Sequence, residues 1–404
     1  MLTVLSVTDA KEKILYSVSR QTAPRTVSLP DALGRVLSSP VAAKGDLPLF
    51  ARSTMDGFAV RAEDTFGASE AMPALFSVTG EVMMGQAPPA ALAAGEAMRI
   101  STGGMLPDGC DAVVMVEYTE MLGANALAVH RAVAPGENII SRGEDIAAGE
   151  NALAAGQVLR PQDIGALAAL GMTSVDVFCR PRVAVFSTGD ELVMPEMEPG
   201  PGEVRDINSY LLAGLARQCG AKAERLGIIP DNAQKLLDAL QKTADYDCVI
   251  LSGGSSAGTR DHTASCIGAL GEPGVLFHGV SMRPGKPLIY CVVNGKPYFG
   301  LSGNPTSAMV QFLLFVRPLL LQMGGASLDA PVFRARVERN LSSASGREDY
   351  VRAVLFERDG ELWARPILGQ SNLISTVVRG NVLLRIPQNS EGVESGELLE
   401  CMQI

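Results

Sequence analysis

The chain is poor in the residues that most often announce a catalytic or metal centre. Only three of its 404 residues are histidine (His130, His262, His278), which argues against a zinc site built from several imidazoles. No Ser-His-Asp or Cys-His pattern stands out. The seven cysteines are odd in number, scattered and free of any C-x-x-C spacing, so they read as reduced thiols and place the chain in the cytoplasm. No basic run is present. With Lys+Arg 34 against Asp+Glu 44 the net charge is -10, which argues against a nucleic-acid partner, although a local cationic or backbone N–H pocket can still take a small anion. The N-terminus lacks a basic segment followed by a long apolar core, so no signal peptide is expected. The most apolar stretch, 308–323, is broken by Gln311, Arg317 and Pro318 and reads as a buried helix, with no membrane partner. What remains is a chain with 47% hydrophobic residues, 42 glycines and 24 prolines, enough for several cores joined by many turns.

Along the chain the pattern changes four times. Residues 8–20 predict a short amphipathic helix capped by Thr8 or Asp9, and 29–37 a second one with Pro30 in its first turn. From 45 to 145 short β-like runs (FAVRA, LFSVTGEVM, AMRIS, AVVMVEYTEM, ALAVHRAV) alternate with turn chemistry such as MLPDGCD. A helix is predicted at 161–170, and its flanks pair with the N-terminal segment in a discontinuous helical and linker domain, 1–44 plus 146–180. Residues 181–330 alternate strand and helix, with Asn208 and Asp231 as helix caps and an Asn-Gly hairpin at 294–295, the signature of a mostly parallel α/β sheet. Residues 331–404 return to β-runs, a small antiparallel barrel or sandwich. The fold class is therefore α/β plus β, multidomain.

Ligands of open α/β sheets bind beyond the carboxyl ends of the strands. The segments expected there are Thr188-Gly189-Asp190-Glu191, Pro230-Asp231, Ser252-Gly253-Gly254 running on to Asp261, and Ser302-Gly303-Asn304-Pro305. Tandem glycines and serines let backbone N–H groups approach an anion. The turn Arg283-Pro284-Gly285-Lys286-Pro287 holds two cations on a stiff bend. Asp56 beside Gly57, and Asp145 after Arg142-Gly143-Glu144, are further acids placed at turns. Taken singly, each of these motifs is more often an ordinary turn or cap. Acids that converge on a phosphate cradle suit Mg²⁺, which takes one or two carboxylates plus phosphate oxygens.

The phrases SxMDGFAVR (53–61), RISTGGMLPDGCDAVVMVE (99–117), NIISRGEDI (138–146), VFSTGDEL (185–192), ILSGGSSAGTRDHT (250–263), MRPGKP (282–287) and GLSGNPTSAMVQFLLFVRP (300–318), in this order, resemble the molybdopterin molybdenumtransferase family, which includes the C-terminal part of gephyrin. The resemblance spans nearly the whole chain. It implies four domains per subunit, an elongated homodimer, and a site where the α/β and C-terminal domains of one subunit face the second domain of the other. It implies adenylylated molybdopterin and molybdate as substrates, Mg²⁺ as the cation, and hydrolysis of the adenylate as molybdenum reaches the dithiolene sulfurs. Molybdopterin adenylyltransferase and molybdoenzymes or cofactor-carrier proteins are the further partners it brings in.

Carried over residue by residue, the family's functional acids fall on Asp56, Asp145, Glu191, Asp231 and Asp261, with Asp231 and Asp261 as the metal ligands. Its ligand-binding positions fall on Thr102, Ser252, Gly253, Gly254, Arg283, Lys286, Gly303, Asn304 and, in the C-terminal domain, Ser371. Three departures surround the expected anion pocket. Arg283 stands where the family usually has Lys, Ser302 where it has Pro, and GGSSAGTRD where GGVSxGxxD is usual. Two other readings follow from the same resemblance: a non-catalytic dimeric relative that binds or carries the pterin, and a pterin adenylyltransferase, against which the additional β-rich domains argue.

Overall fold

The computed structural model describes residues 4–18, 21–253, 262–326 and 332–404. Strand and helix alternate from residue 182 because short β-branched runs are punctuated by helix caps and glycines. The described elements are α1 (Val7–Ser17), β1 (Arg182–Thr188), α2 (Asn208–Gln218), β2 (Lys222–Ile229), α3 (Ala233–Gln241), β3 (Cys248–Ser252), α4 (Thr263–Gly268), β4 (Pro273–His278), β5 (Ile289–Val293), β6 (Lys296–Leu301) and α5 (Pro305–Gln311). The sheet order is β2-β1-β3-β6-β5-β4. β2, β1, β3 and β6 are parallel, while β5 and β4 add antiparallel edges. β5 and β6 are joined by Asn294 and Gly295, whose φ values of 52° and 78° fit the tight Asn-Gly turn that the sequence predicts.

One face of this sheet is covered by α1, α2 and a continuous helix from Pro305 to Met323. That helix is long and apolar enough to cross a membrane, yet it is mostly buried inside the protein. It runs as α5, then a π-helical stretch Phe312–Val316, then an α-helix Arg317–Met323. The other face packs against α3 and α4 through Phe186, Leu236, Leu240, Val249 and Ile267.

The helix expected in the N-terminal part of the discontinuous domain lies elsewhere. α1 buries Val7, Ala10 and Ile14 in the core of the α/β unit. Its apolar stripe is completed by Val280, Leu313 and Val316, which sit far away in sequence. It is capped by Ser6, whose hydroxyl accepts from Asp9 N at 3.0 Å, and not by Thr8 or Asp9. The second predicted helix shrinks to Leu29–Ala32.

Segments 24–43 and 151–178 share one cluster, in which Val27, Leu37 and Val41 meet Leu153, Leu159, Leu167 and Val177. Pro24–Ser28 pairs antiparallel with Ser174–Phe178, and Val41–Ala42 with Asn151–Leu153. Between them, residues 57–129 build a six-stranded sheet with its own two clusters, around Phe58, Val114 and Leu127 and around Val82, Met98 and Val113.

The C-terminal unit is a closed barrel. Glu348–Arg358, Glu361–Pro366, Phe333–Val337, Leu398–Gln403 and Val382–Ile386 pair in that order, and the last returns to the first. One pair, Phe333–Val337 with Glu361–Pro366, is parallel, so the barrel departs from the all-antiparallel expectation. A short strand from the α/β unit, Met282–Arg283, adds in parallel to Glu348–Asp349. The two units are thereby stitched together at the basic turn.

Candidate functional site

The carboxyl ends of β1, β2, β3 and β6 open into a cavity of about 710 Å³. Its wall includes Thr188, Glu191, Asp206, Asn208, Asp231, Ser252, Gly253, Gly303 and Asn304, with Pro287 and Asn372 at the sides. Five of the nine ligand-binding positions expected from the sequence were assigned to loops of this edge, and four of those (Ser252, Gly253, Gly303, Asn304) line the cavity, as do the acids Glu191 and Asp231. The fifth, Gly254, lies outside the described residues, and so does Asp261.

Backbone geometry forms the floor. Gly253 has φ +98°, and a Cβ there would run into the carbonyl oxygen of Thr188 on the neighbouring strand, so only glycine fits. Its N–H donates to Leu301 O at 3.1 Å. Asn208 donates through Nδ2 to Ser252 Oγ and to Gly303 O, both at 2.7 Å. Ser252 Oγ donates onward to Ser302 O at 3.2 Å. The loops after β3 and β6 are thus locked to the start of α2.

Two helix caps sit one or two residues from where the sequence places them, and both shifts matter here. Asp206, not Asn208, caps α2, its carboxylate accepting from Ser209 N at 3.1 Å and from Ser187 Oγ at 2.7 Å. Asn208 is thereby free to bridge. Asn232, not Asp231, caps α3, accepting from Lys235 N at 3.0 Å. The Asp231 side chain is then left for the cavity, while its own N–H donates to Asp190 Oδ1 at 3.0 Å.

The charge of the wall is lopsided. Among the described residues, Glu191, Asp206 and Asp231 line the cavity with Arg205 as the one cation. The oxygen-rich wall also carries buried oxygens with no partner among the described residues, Thr188 Oγ1 and Asn208 Oδ1, with Thr306 Oγ1 just behind. Among the described residues no group of three His, Cys, Asp or Glu side chains could hold a metal by itself. Two carboxylates beside a phosphate-sized space nonetheless fit the donor set that Mg²⁺ uses, which is completed by phosphate oxygens and water.

Arg283 and Lys286 do not line the cavity; they sit on the adjoining turn, which Pro287 connects to it. Arg283 approaches Asp349 of the barrel at 4.0 Å, and Asp349 is also bound by Arg347 Nε at 2.9 Å. The barrel reaches the same edge through its 367–373 segment. Ser371 O accepts from Thr306 N at 3.2 Å, which anchors this segment to the first turn of α5. Ser371 therefore contributes a carbonyl here and Asn372 a side of the cavity. Arg352, buried in the barrel, holds the same segment by donating to Gly369 O at 3.1 Å.

Asp56, Thr102 and Asp145 are not brought to this cavity within the chain. Asp56 and Thr102 meet each other: the carboxylate accepts from Thr102 N at 2.7 Å and Thr102 Oγ1 at 3.0 Å. Those two hydrogen bonds, the backbone one first, hold the Asp56 carboxyl below the usual carboxylate range although it is exposed. Asp145 lies beyond the antiparallel contact of Leu47 with Ile146, and its N–H donates to Leu47 O at 3.1 Å.

Sequence reasoning missed Asp206, Asn208 as a bridge, Gln311 and Arg352. The Asp206-Ile207-Asn208 spacing carries a signal, because an acid just before a helix can cap it. Gln311 and Arg352 carry none, since each looks like a stray polar residue in an apolar run.

A barrel appended to a doubly wound unit, with an acid- and glycine-lined cavity at its strand ends, defines the class: a multidomain α/β protein with a ligand cavity at the carboxyl edge of its parallel sheet. The chain matches, in three consecutive parts, the family models "MoeA N-terminal region (domain I and II)" over 5–171, "Probable molybdopterin binding domain" over 184–322, and "MoeA C-terminal region (domain IV)" over 334–404. It is 36% identical to "Molybdopterin molybdenumtransferase 2" of Mycobacterium tuberculosis, over 97% of this chain and 98% of that one. It is 33% identical to the molybdopterin molybdenumtransferase of Bacillus subtilis, over 100% and 94%. A crystal structure of the molybdopterin biosynthesis MoeA protein from Pyrococcus horikoshii superposes with a TM-score of 0.83 at 32% identity, covering both chains completely. The chain belongs to the molybdopterin molybdenumtransferase family and is an enzyme of molybdenum cofactor biosynthesis.

Proposed function

We propose that this enzyme inserts molybdate into adenylylated molybdopterin, with Mg²⁺ required and AMP released, and that it works as a homodimer in the cytoplasm. The observation that carries the reading is the acid-lined, glycine-floored cavity beside a turn with two cations. A phosphoanhydride is anionic, and three carboxylates would repel it. The arrangement makes chemical sense when a divalent cation sits between them.

Of the two metal ligands expected from the sequence, Asp231 lines the cavity and Asp261 lies outside the described residues; Asp231 and Glu191 are the described groups that would hold Mg²⁺. When bound, the cation would neutralise charge that develops on the departing phosphate oxygens. The rest falls to the protein. Gly253 and Gly303 let backbone approach the ligand closely, because neither carries a side chain in its way. The stiff Arg283–Lys286 turn offers cations for oxyanions, molybdate among them. Cross-links through Asn208 keep the Ser252 and Gly303 loops in register before the substrate arrives.

Asp56, Thr102 and Asp145 lie apart from their own cavity. A second protomer, placed so that its 57–129 unit faces the cavity, would bring them in. That is the support for a homodimer with composite sites.

The test uses purified full-length protein with adenylylated molybdopterin, molybdate and MgCl₂. AMP release that depends on both molybdate and Mg²⁺ is expected. Tight pterin binding with no turnover would instead select the non-catalytic carrier reading, and ATP-dependent adenylylation of molybdopterin would select the adenylyltransferase one.

A further inference from the structure

The last residue of α5, Gln311, is fully buried and lies between Val310 and the apolar run Phe312–Val316. Its side chain uses every hydrogen-bonding direction the site demands. Oε1 accepts from Ser302 N at 2.8 Å. Nε2 donates to Gly285 O at 2.8 Å and to Pro287 O at 2.9 Å. These partners fix the amide orientation, because the reverse would set a carbonyl against two carbonyls. Two loops far apart in sequence therefore meet on one side chain: the Ser302-Gly303-Asn304 loop that lines the cavity, and the Arg283–Lys286 basic turn beside it.

The surroundings are shaped for this contact. Gly285 has φ +97°, and a Cβ there would lie 2.9 Å from Gln311 Cγ, so the turn is pressed directly onto the glutamine. The helix widens into a π-helical stretch immediately after, at Phe312. Such widenings re-phase a helix and recur at functional sites. Ser302 is the residue that departs from the Pro of the related phrase. A Pro has no N–H, so a Ser at this buried position brings in a donor that must be satisfied, and Gln311 satisfies it.

We propose that Gln311 is a positioning residue that holds the basic turn in register with the cavity loop, and that Ser302 and Gln311 act as a coupled pair. An amide is the one group of this size that can serve an N–H and two carbonyls together. Without it, two buried carbonyls and one buried N–H lose their partners, and the turn carrying Arg283 and Lys286 is released from the wall. The claim about the anion deepens the functional reading above and rests on it; the coupling claim does not.

The experiment is a double-mutant cycle on the full chain with Q311M, S302P and the double variant, reading thermal midpoint and affinity for molybdate. Q311M is expected to weaken molybdate binding about tenfold in both backgrounds, because the carbonyl contacts are lost in each. Its thermal penalty is expected to be clearly smaller in the S302P background, where no N–H is left orphaned. Equal penalties in the two backgrounds overturn the coupling. Wild-type molybdate affinity in a folded Q311M overturns the positioning role. If Q311M fails to fold, Q311E replaces it: its carboxyl, once protonated, can donate to one of the two carbonyls, so molybdate affinity is expected to recover in part as pH falls from 8 to 6, and a flat profile overturns the role. A wild-type chain that binds no molybdate defeats the functional reading and the anion claim with it, while the thermal cycle still decides the coupling.

Discussion

The α/β unit and the region of the 57–129 sheet both carry acids that the family resemblance draws into one proposed reaction, yet they display them in opposite ways. In the α/β unit Asp206, Asn208 and Ser252 are buried and cross-linked, and Glu191 and Asp231 stand over a cavity that the parallel sheet creates wherever its strands end. Beside the 57–129 sheet Asp56 is exposed, and among the described residues its carboxylate is held by Thr102 alone. This sheet is mixed, with one parallel pair, Ala74–Val82 with Glu96–Ile100, among antiparallel ones, and its acid sits exposed just before the strand Gly57–Val60. The contrast teaches that the cavity is built from one chain, while Asp56 would reach such a cavity only in the proposed homodimer.

The largest effect expected from attacking this contrast is at the cavity floor. Gly253→Ala introduces a Cβ into the Thr188 carbonyl at a positive φ. Stability should fall by about 1–3 kcal/mol, as for strained backbone of this type, and turnover should drop below detection. Urea denaturation and AMP release measure the two.

Asp231→Asn keeps shape and removes charge at a position that caps nothing. Turnover is expected to fall roughly 100-fold, the scale of losing one preorganised electrostatic group, with the thermal midpoint unchanged. A variant that keeps normal turnover would remove Asp231 from the set of working acids.

Mixing the two regions is the sharpest comparison. Asp56→Asn should also impair turnover as a homodimer. Co-expressed with Asp231→Asn, it should form mixed dimers in which one site carries both changes and the other neither. Activity of such isolated dimers should return to about half of wild type, by the arithmetic of composite sites. Absence of recovery, with dimers confirmed by sedimentation, would show that the two acids do not serve sites shared between protomers.

The smallest effect lies in the discontinuous domain between the two regions. Arg160 binds Asp163 through its side chain, and this contact first, against the opposing effect of burial, holds the Asp163 carboxyl down at about 2. A depressed folded pKa means the contribution is fully present above the unfolded value near 4 and is lost as pH falls through 2. Discounted for the exposed Arg160 partner, it amounts to about 1 kcal/mol. Asp163→Asn should therefore lower the thermal midpoint by a few degrees at pH 7, and the difference should vanish in acid.

Much of this architecture is legible in the chain, for local reasons. The Asn294-Gly295 pair accepts the positive φ values of a tight hairpin, and Gly253 can sit where no other residue fits, so both are marked by residue type. The caps were displaced by one or two positions, because several Asp and Asn in a row can each serve and only packing selects among them. The placement of α1 was not legible: its stripe fits any apolar face, and which face it meets depends on Val280 and Leu313.

Local sequence was enough to show that residues 182–268 alternate strand and helix, that glycines stand at the tight turns, and that acids follow the strand ends, since these depend on neighbours only a few residues away. Tertiary structure alone decided that Met282–Arg283 would join the barrel at Glu348–Asp349, that Gln311 would reach both Ser302 and Gly285, and that Asp56 would remain outside its own cavity. Hydrogen bonds between loops distant in sequence leave no periodic trace; they form only after burial has brought the partners together and made leaving them unpaired costly.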